Sequence, residues 1–158
     1  MELPAPELDP EPDWTEFDDF HRVASQRSFV LDGDDRLRVK FFADGDDAIV
    51  GKAWFGPGAE GPPKHAHGGS VAAVLDQAMG TAAWALGHTV LAGEINVQFL
   101  EILPLGETIR IETAREGKDD RRVEMSARLV GEDGTVYSRS TGTFIEVDVD
   151  RFIDAFQD

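Results

Sequence analysis

The middle of this 158-residue chain gathers residue types suited to carbonyl chemistry: His67, then Gly68-Gly69, then Asp76. Backbone amides at the start of a helix have no intrahelical acceptor and sit at the positive end of the helix dipole. Glycine lets a foreign oxygen approach them closely. His67-Gly68-Gly69 therefore has the makings of an oxyanion hole, whose loss typically costs about 2.7–4 kcal/mol of transition-state stabilisation; the alternative is a plain helix start with tight packing. Asp76 is flanked by Val74, Leu75 and Ala78 in an apolar helix. Aspartate is a poor helix-interior residue, and burial would raise its pKa toward the range useful to a general base. Its alternative is a carboxylate pointing into solvent. Gly68 and Asp76 stand eight residues apart, about 12 Å along a helix. Both must come within about 3 Å of one reacting group. Two antiparallel copies of the helix around a two-fold achieve this, with Gly68 of one facing Asp76 of the other, so shared use of these residues predicts at least a dimer.

Other chemistry is less well supplied. His65 and His67 form a His-x-His pair, but His21 and His88 are remote and there are no cysteines. Zinc needs convergent third and fourth ligands, so no metal is assigned. His65 reads as a loop residue and His88 as a surface residue after the helix. Arg115, Lys118, Arg121 and Arg122 form a basic island in an acidic chain. This is either a hairpin solvated by Asp119 and Asp120 or a dock for phosphates, which arginine's fork suits.

The net charge of −16 argues against nucleic acid or an anionic membrane as partner. The absence of cysteine excludes a disulfide framework and a thiolate nucleophile. Met1–Pro12 has neither the basic start nor the apolar run of a secretory signal, and no run approaches the roughly 18 apolar residues of a membrane span. The expected location is the cytoplasm.

These residues need a frame. Residues 1–13 read as a poorly ordered acidic tail, and 14–158 as one domain with its core over about 36–147. Trp14, Phe17, Phe20 and Ala24 recur at helical spacing, predicting an amphipathic helix over about 14–25. Arg36–Phe42 and Ala48–Phe55 read as strands around an Asp44–Asp47 turn, and Gly56–Pro63 as irregular. Gly69–Leu86 is the one long helix, ended by Gly87. Four strands follow, carrying Ile95-Val97-Phe99, Ile109-Ile111, Val123-Met125-Ala127-Leu129 and Thr135–Val147. Turns are expected at Leu103–Gly106, Gly117–Asp120 and Gly131–Gly134, with a last helical turn over 150–156. Clean alternation predicts antiparallel strands with one buried face. A single apolar helix among them fits the concave side of a strongly curved sheet: an α+β hotdog fold.

His67-Gly68-Gly69, Asp76, Ile95-Asn96-Val97-Gln98-Phe99 and Leu103-Pro104-Leu105-Gly106 together resemble the PaaI-like branch of hotdog acyl-CoA thioesterases. Glu60-Gly61-Pro62-Pro63 is similar to the related mammalian thioesterase superfamily members. The resemblance covers about Val39–Val147. It implies hydrolysis of an acyl-CoA at the interface of a homodimer or homotetramer, without a cofactor. In that reading the Gly68 amide polarises the thioester carbonyl and His67 shapes the hole. Asp76 of the facing subunit acts as general base or nucleophile. CoA lies against Gly69, Gln98, Leu100, the strand near Ile109–Thr113, Arg121 and Arg122. The chain also departs from the pattern. Ala92 stands where many relatives carry a Ser or Thr that positions water, Glu101-Ile102 replaces an Arg-Pro-like pair, and Gly61 replaces an asparagine. These losses leave room for a non-catalytic module that binds acyl-CoA; a dehydratase or hydratase lacks its motif here.

Overall fold

A computed structural model describes residues 2–16, 29–30, 34–46 and 48–154. In chain order the elements are β1 (Thr15–Glu16), β2 (Leu37–Asp44), β3 (Ala48–Phe55), a 3₁₀ turn (Pro57–Ala59), α1 (Gly68–Ala85), β4 (Val90–Phe99), β5 (Thr108–Asp119), β6 (Arg122–Val130), β7 (Val136–Glu146) and α2 (Val149–Asp154). The seven strands form one antiparallel sheet in the order β1-β2-β3-β5-β6-β7-β4. The sheet curves around α1, which contacts β3 to β7. This is the expected hotdog arrangement, α+β.

Period-two patterning builds the core between sheet and helix. Ile109, Ile111, Val123, Met125, Leu129 and Phe144 point toward α1 and are almost wholly buried. From the helix, Val71, Val74, Leu75, Ala78, Met79 and Ala82 answer them. Each fully buried side chain of this size contributes about 1.5–3 kcal/mol, so this layer holds the helix in place.

The opposite face of the sheet is divided. Over β2 and β3 it is apolar and covered: Phe42, Val50 and Trp54 are buried. Residues 2–13, expected as a loose tail, and Trp14 lie against the domain. Leu8 is buried and Leu3 packs at the turn of Gly106. Glu11 pairs with Lys52 at 3.1 Å, and the Trp14 ring lies 5.6 Å from that of Phe42. The helix expected over 14–25 does not begin there, because Thr15–Glu16 pairs with β2 as a strand. Trp14 is drawn instead to the apolar patch on Phe42, which its helical spacing could not reveal. The remainder of that stretch, residues 17–28, lies outside the described residues. Over β4 to β7 the same face is an open polar groove of about 510 Å³, walled by Gln98, Arg139, Arg128 and Glu112.

Two further expectations shift. The β5–β6 turn is not at Gly117–Asp120 but at Asp120-Arg121, with Asp120 at φ 53. Gly117 instead follows a bulge in β5, where the pairing register slips after Arg115. β4 does not have one buried face: from Leu91 to Phe99 only Val97 is even half-covered. It is an edge strand, and its apolar side chains lack a second wall among the described residues. The last helical turn is present as α2, with residues 155–158 outside the described residues.

Candidate active site

His67 is the N-cap of α1, with extended backbone (φ −63, ψ 137). Its Nδ1 accepts a hydrogen bond from the Gly69 amide at 2.8 Å. An accepting Nδ1 carries no proton, so the network assigns the hydrogen of the neutral ring to Nε2. The His67 carbonyl takes the Ser70 amide at 2.9 Å and the Ser70 hydroxyl at 2.6 Å. The amide of Gly68 is left without an acceptor among the described residues, at the positive end of an 18-residue helix. The Phe99 ring stands beside it: a Cβ on Gly68 would meet that ring at 3.4 Å. Gly68 thus presents a free donor beside an apolar wall, the arrangement an oxyanion needs. Gly69 serves the cap instead of a ligand.

Asp76 lies on the less covered stripe of α1, with the small residues Gly69, Ala72, Ala73 and Gly80. It is half-buried, and among the described residues it has no hydrogen-bond or ion-pair partner. Burial holds its carboxyl above the usual carboxylate value of 3.8, because desolvation penalises the charge and nothing nearby compensates. The structure therefore brings Gly68 and Asp76 onto one helix but not onto one carbonyl.

The other expected residues scatter. Phe99 faces α1, so Gln98, the next residue along β4, faces the outer groove, where it accepts from Arg139 Nε at 2.5 Å. Leu100 is exposed just past β4, its amide bonded to the Tyr137 carbonyl at 2.9 Å. Arg121 holds the Glu146 carbonyl at 3.1 Å, and Arg122 is exposed at the start of β6. His88 is no surface residue. Its side chain is largely covered, bonding Glu146 at 3.1 Å through Nδ1 and Arg115 at 3.3 Å through Nε2. Lys118 also reaches Glu146, at 3.4 Å. The basic island is thus tied to the C-terminal end of α1, by partners 27 and 58 residues from His88, a link no local pattern announces.

Two features went unsuspected in the sequence. Gly93 sits in a β-bulge between Ala92 and Glu94. Ala92 pairs with the inward Phe144, while Glu94 pairs with Thr143 and is turned to the outer face. A bulge commonly re-aims side chains beside active sites, and here it keeps the Glu94 carboxylate off the helix side. The isolated glycine in a strand pattern was the available signal. The second is the turn before His67, taken up below.

Comparison with known proteins accords with this geometry. The sequence profile of the thioesterase superfamily matches residues 63–138. The acyl-coenzyme A thioesterase THEM5 of Mus musculus is 30% identical over 125 residues, 78% of this chain and 50% of that protein. The chain thus spans about half the length of that relative. Among solved structures, a hypothetical thioesterase protein with coenzyme A from Streptococcus pneumoniae TIGR4 superposes with a TM-score of 0.65 at 16% identity, over 70% of this chain and 89% of that one. The E. coli PaaI protein from the phenylacetic acid degradation operon superposes at 0.64 and 14%, over 68% and 82%. At these identities the likeness is one of fold. Residues 63–138 of the chain thus match a thioesterase superfamily domain.

Proposed function

We propose that this protein hydrolyses an acyl-CoA thioester to the free acid and CoA, in sites shared between two copies of the chain. The observation that carries the reading is a Gly68 amide and, eight residues on, a half-buried Asp76 carboxylate, neither with a hydrogen-bond partner among the described residues. In hydrolysis the Gly68 N–H stabilises charge building on the thioester oxygen. Asp76 of the partner subunit takes the proton from an attacking water and returns it to the CoA sulfur as the C–S bond breaks. Alternatively its carboxylate attacks the carbonyl and expels CoA thiolate, and a water then cleaves the resulting anhydride to the free acid, regenerating Asp76 and supplying the thiol's proton. The acyl-coenzyme A thioesterase that this chain resembles supports the substrate class.

The edge strand β4 supports the two-copy arrangement. A ten-residue strand with one free edge invites pairing, and it exposes Leu91, Ile95 and Phe99. Antiparallel pairing of two β4 strands about a two-fold sets the two α1 helices side by side and opposed. Gly68 of one then approaches Asp76 of the other. The partner's helix runs on for nine residues past its Asp76, about 14 Å, toward its own Arg115, Lys118, Arg121 and Arg122. Those side chains are offered to the phosphates at the far end of CoA. The location assigned to this activity is the cytoplasm.

Ala92 favours a second reading, an acyl-CoA-binding module without turnover: it puts a methyl on the helix side of β4 where many relatives carry a hydroxyl. One experiment separates the two. The purified protein and Asp76→Ala are offered short, medium, long and aryl acyl-CoAs with a thiol reagent. Thiol release that vanishes in the variant supports hydrolysis. Tight binding without release sinks it in favour of the binding module.

A further inference from the structure

The seven residues between the 3₁₀ turn and His67 form a closed turn with two peculiarities. Glu60 and Ala66 bridge as in a small hairpin, the Gly61 amide donates to the His65 carbonyl at 2.9 Å, and the His65 amide donates to the Pro62 carbonyl at 2.9 Å. Outside the turn, the His67 amide is held by Ala59 at 2.7 Å and the Ala66 amide by Leu103 at 2.8 Å. The first peculiarity is Lys64, a non-glycine residue at φ 66, a conformation disfavoured for such side chains. Its amide is clasped by the Glu60 carboxylate at 2.7 Å, which supplies a reason for the backbone to stay there. The second is Gly61. A Cβ there would stand 2.7 Å from the Cα of His67, 3.0 Å from its Cβ and 3.2 Å from ring Cδ2. The nearest obstacle is backbone, which cannot swing aside.

We infer that Glu60 and Gly61 are positioning residues for the hydrolytic site: Glu60 clasps the backbone amide at position 64, and the closed turn brings the bare α-carbon of Gly61 against His67 and thereby aims the Gly68 amide. The inference rests on the proposed role of Gly68. The link is covalent and short. The Gly68 N–H belongs to the peptide that leaves His67, and the same residue's ring caps Gly69. Any shift of the His67 α-carbon turns that peptide and strains the 2.8 Å cap. The asparagine found six residues before the histidine in some relatives has no room here, so Gly61 marks a different way of fixing the same histidine.

The test uses Gly61→Ala, Glu60→Ala, Glu60→Gln and Lys64→Gly in the full chain. Steady-state kinetics on the best acyl-CoA of the panel are measured beside amide hydrogen exchange at Gly69 and, as a distant reference, at Met79. Gly61→Ala should lower kcat by about 10- to 100-fold, short of the 10²–10³ lost with a whole oxyanion donor, and leave KM within about twofold. Gly69 exchange should quicken while Met79 is unchanged. Glu60→Ala should show the same pattern more weakly, Glu60→Gln should restore it because the amide oxygen still accepts from Lys64, and Lys64→Gly should match the parent because glycine adopts that φ freely. Parental kcat and parental Gly69 exchange in both Gly61→Ala and Glu60→Ala would overturn the inference. If the parent turns over no acyl-CoA, the functional reading fails and the exchange at Gly69 alone decides the turn's role.

Discussion

The first and third turns of α1 are cut from the same small-residue helix, yet they present opposite electrical needs. The first turn opens on a donor with no acceptor among the described residues, partly covered beside Phe99 and held by a histidine cap. The third turn carries a carboxylate with no donor among the described residues, sunk halfway among apolar neighbours. Each alone is a cost to folding: an unsatisfied amide at one place, a desolvated carboxylate at the other. A stable monomer gains nothing from either, and a helix that kept both within one chain would hold them about 12 Å apart. The proposed two-copy site accounts for the contrast, each turn being completed by the other turn of a second copy.

The sharpest way to break this comparison is to inactivate each turn separately and then mix. Asp76→Ala should remove general-base assistance, typically worth about 10²–10⁴ in rate. Gly68→Pro deletes the free N–H where proline is tolerated, at the first helical position and after an extended His67; it should cost about 10²–10³. Each homodimer should be nearly inactive, but co-refolded mixtures should regain activity, since a mixed dimer contains one intact Gly68–Asp76 pair. Mixtures as inactive as the single variants would place the whole site in one chain. Next in size, Ile95→Lys places a charge on the inner edge of β4. It should leave the fold's melting transition in place while light scattering shows monomer and turnover falls with it. An active monomer would dissolve the two-copy reading.

Smaller effects sharpen the comparison. The double variant Arg121→Glu, Arg122→Glu should raise KM for acyl-CoA by roughly tenfold, about the worth of one exposed charge-assisted contact, with kcat little changed; an unaltered KM removes these residues from the substrate path. The smallest effect concerns pH. Because burial raises the Asp76 pKa above its unfolded value, the folded state binds this proton more tightly. Its stability therefore falls as pH rises from the unfolded value through the folded one, and stays lower above it. Asp76→Asn should melt higher than the parent at neutral pH. The gain, at most about 1 kcal/mol for a half-exposed group, is roughly 2–4 °C for a domain of this size, and should vanish in acid. Activity runs the other way: turnover needs the carboxylate, so its acid limb should lie above pH 3.8. A calorimetric scan and a pH–rate profile check the two signs.

Much of this was legible in the chain because local patterns and tertiary demands agree. The apolar run from Val71 to Leu86 with Gly87 at φ 93 is a helix on any reading, and the strands after it alternate where one side meets the core. Agreement failed where a segment answers to a distant surface. Trp14 has helical companions in sequence, but Phe42 and the covered half of the sheet claim it. Gly117, Asp119 and Asp120 were equally eligible for a turn, and the cross-strand register of β5 and β6 chose Asp120-Arg121. β4 alternates like a half-buried strand, but its place at the sheet edge leaves its apolar side chains uncovered.

By itself, then, the sequence determined the fold class and singled out Gly68 and Asp76 as candidates for acyl transfer. Period and residue type act over a few neighbours, which suffices for a long helix and alternating strands. Only the tertiary structure decided that Gly69 is spent on a cap while Gly68 is free, that Gln98 faces away from the helix, that His88 gathers the basic hairpin, and that Gly61 abuts His67. Each of these is set by which side of an element faces which neighbour, and that follows from strand order and register across tens of residues.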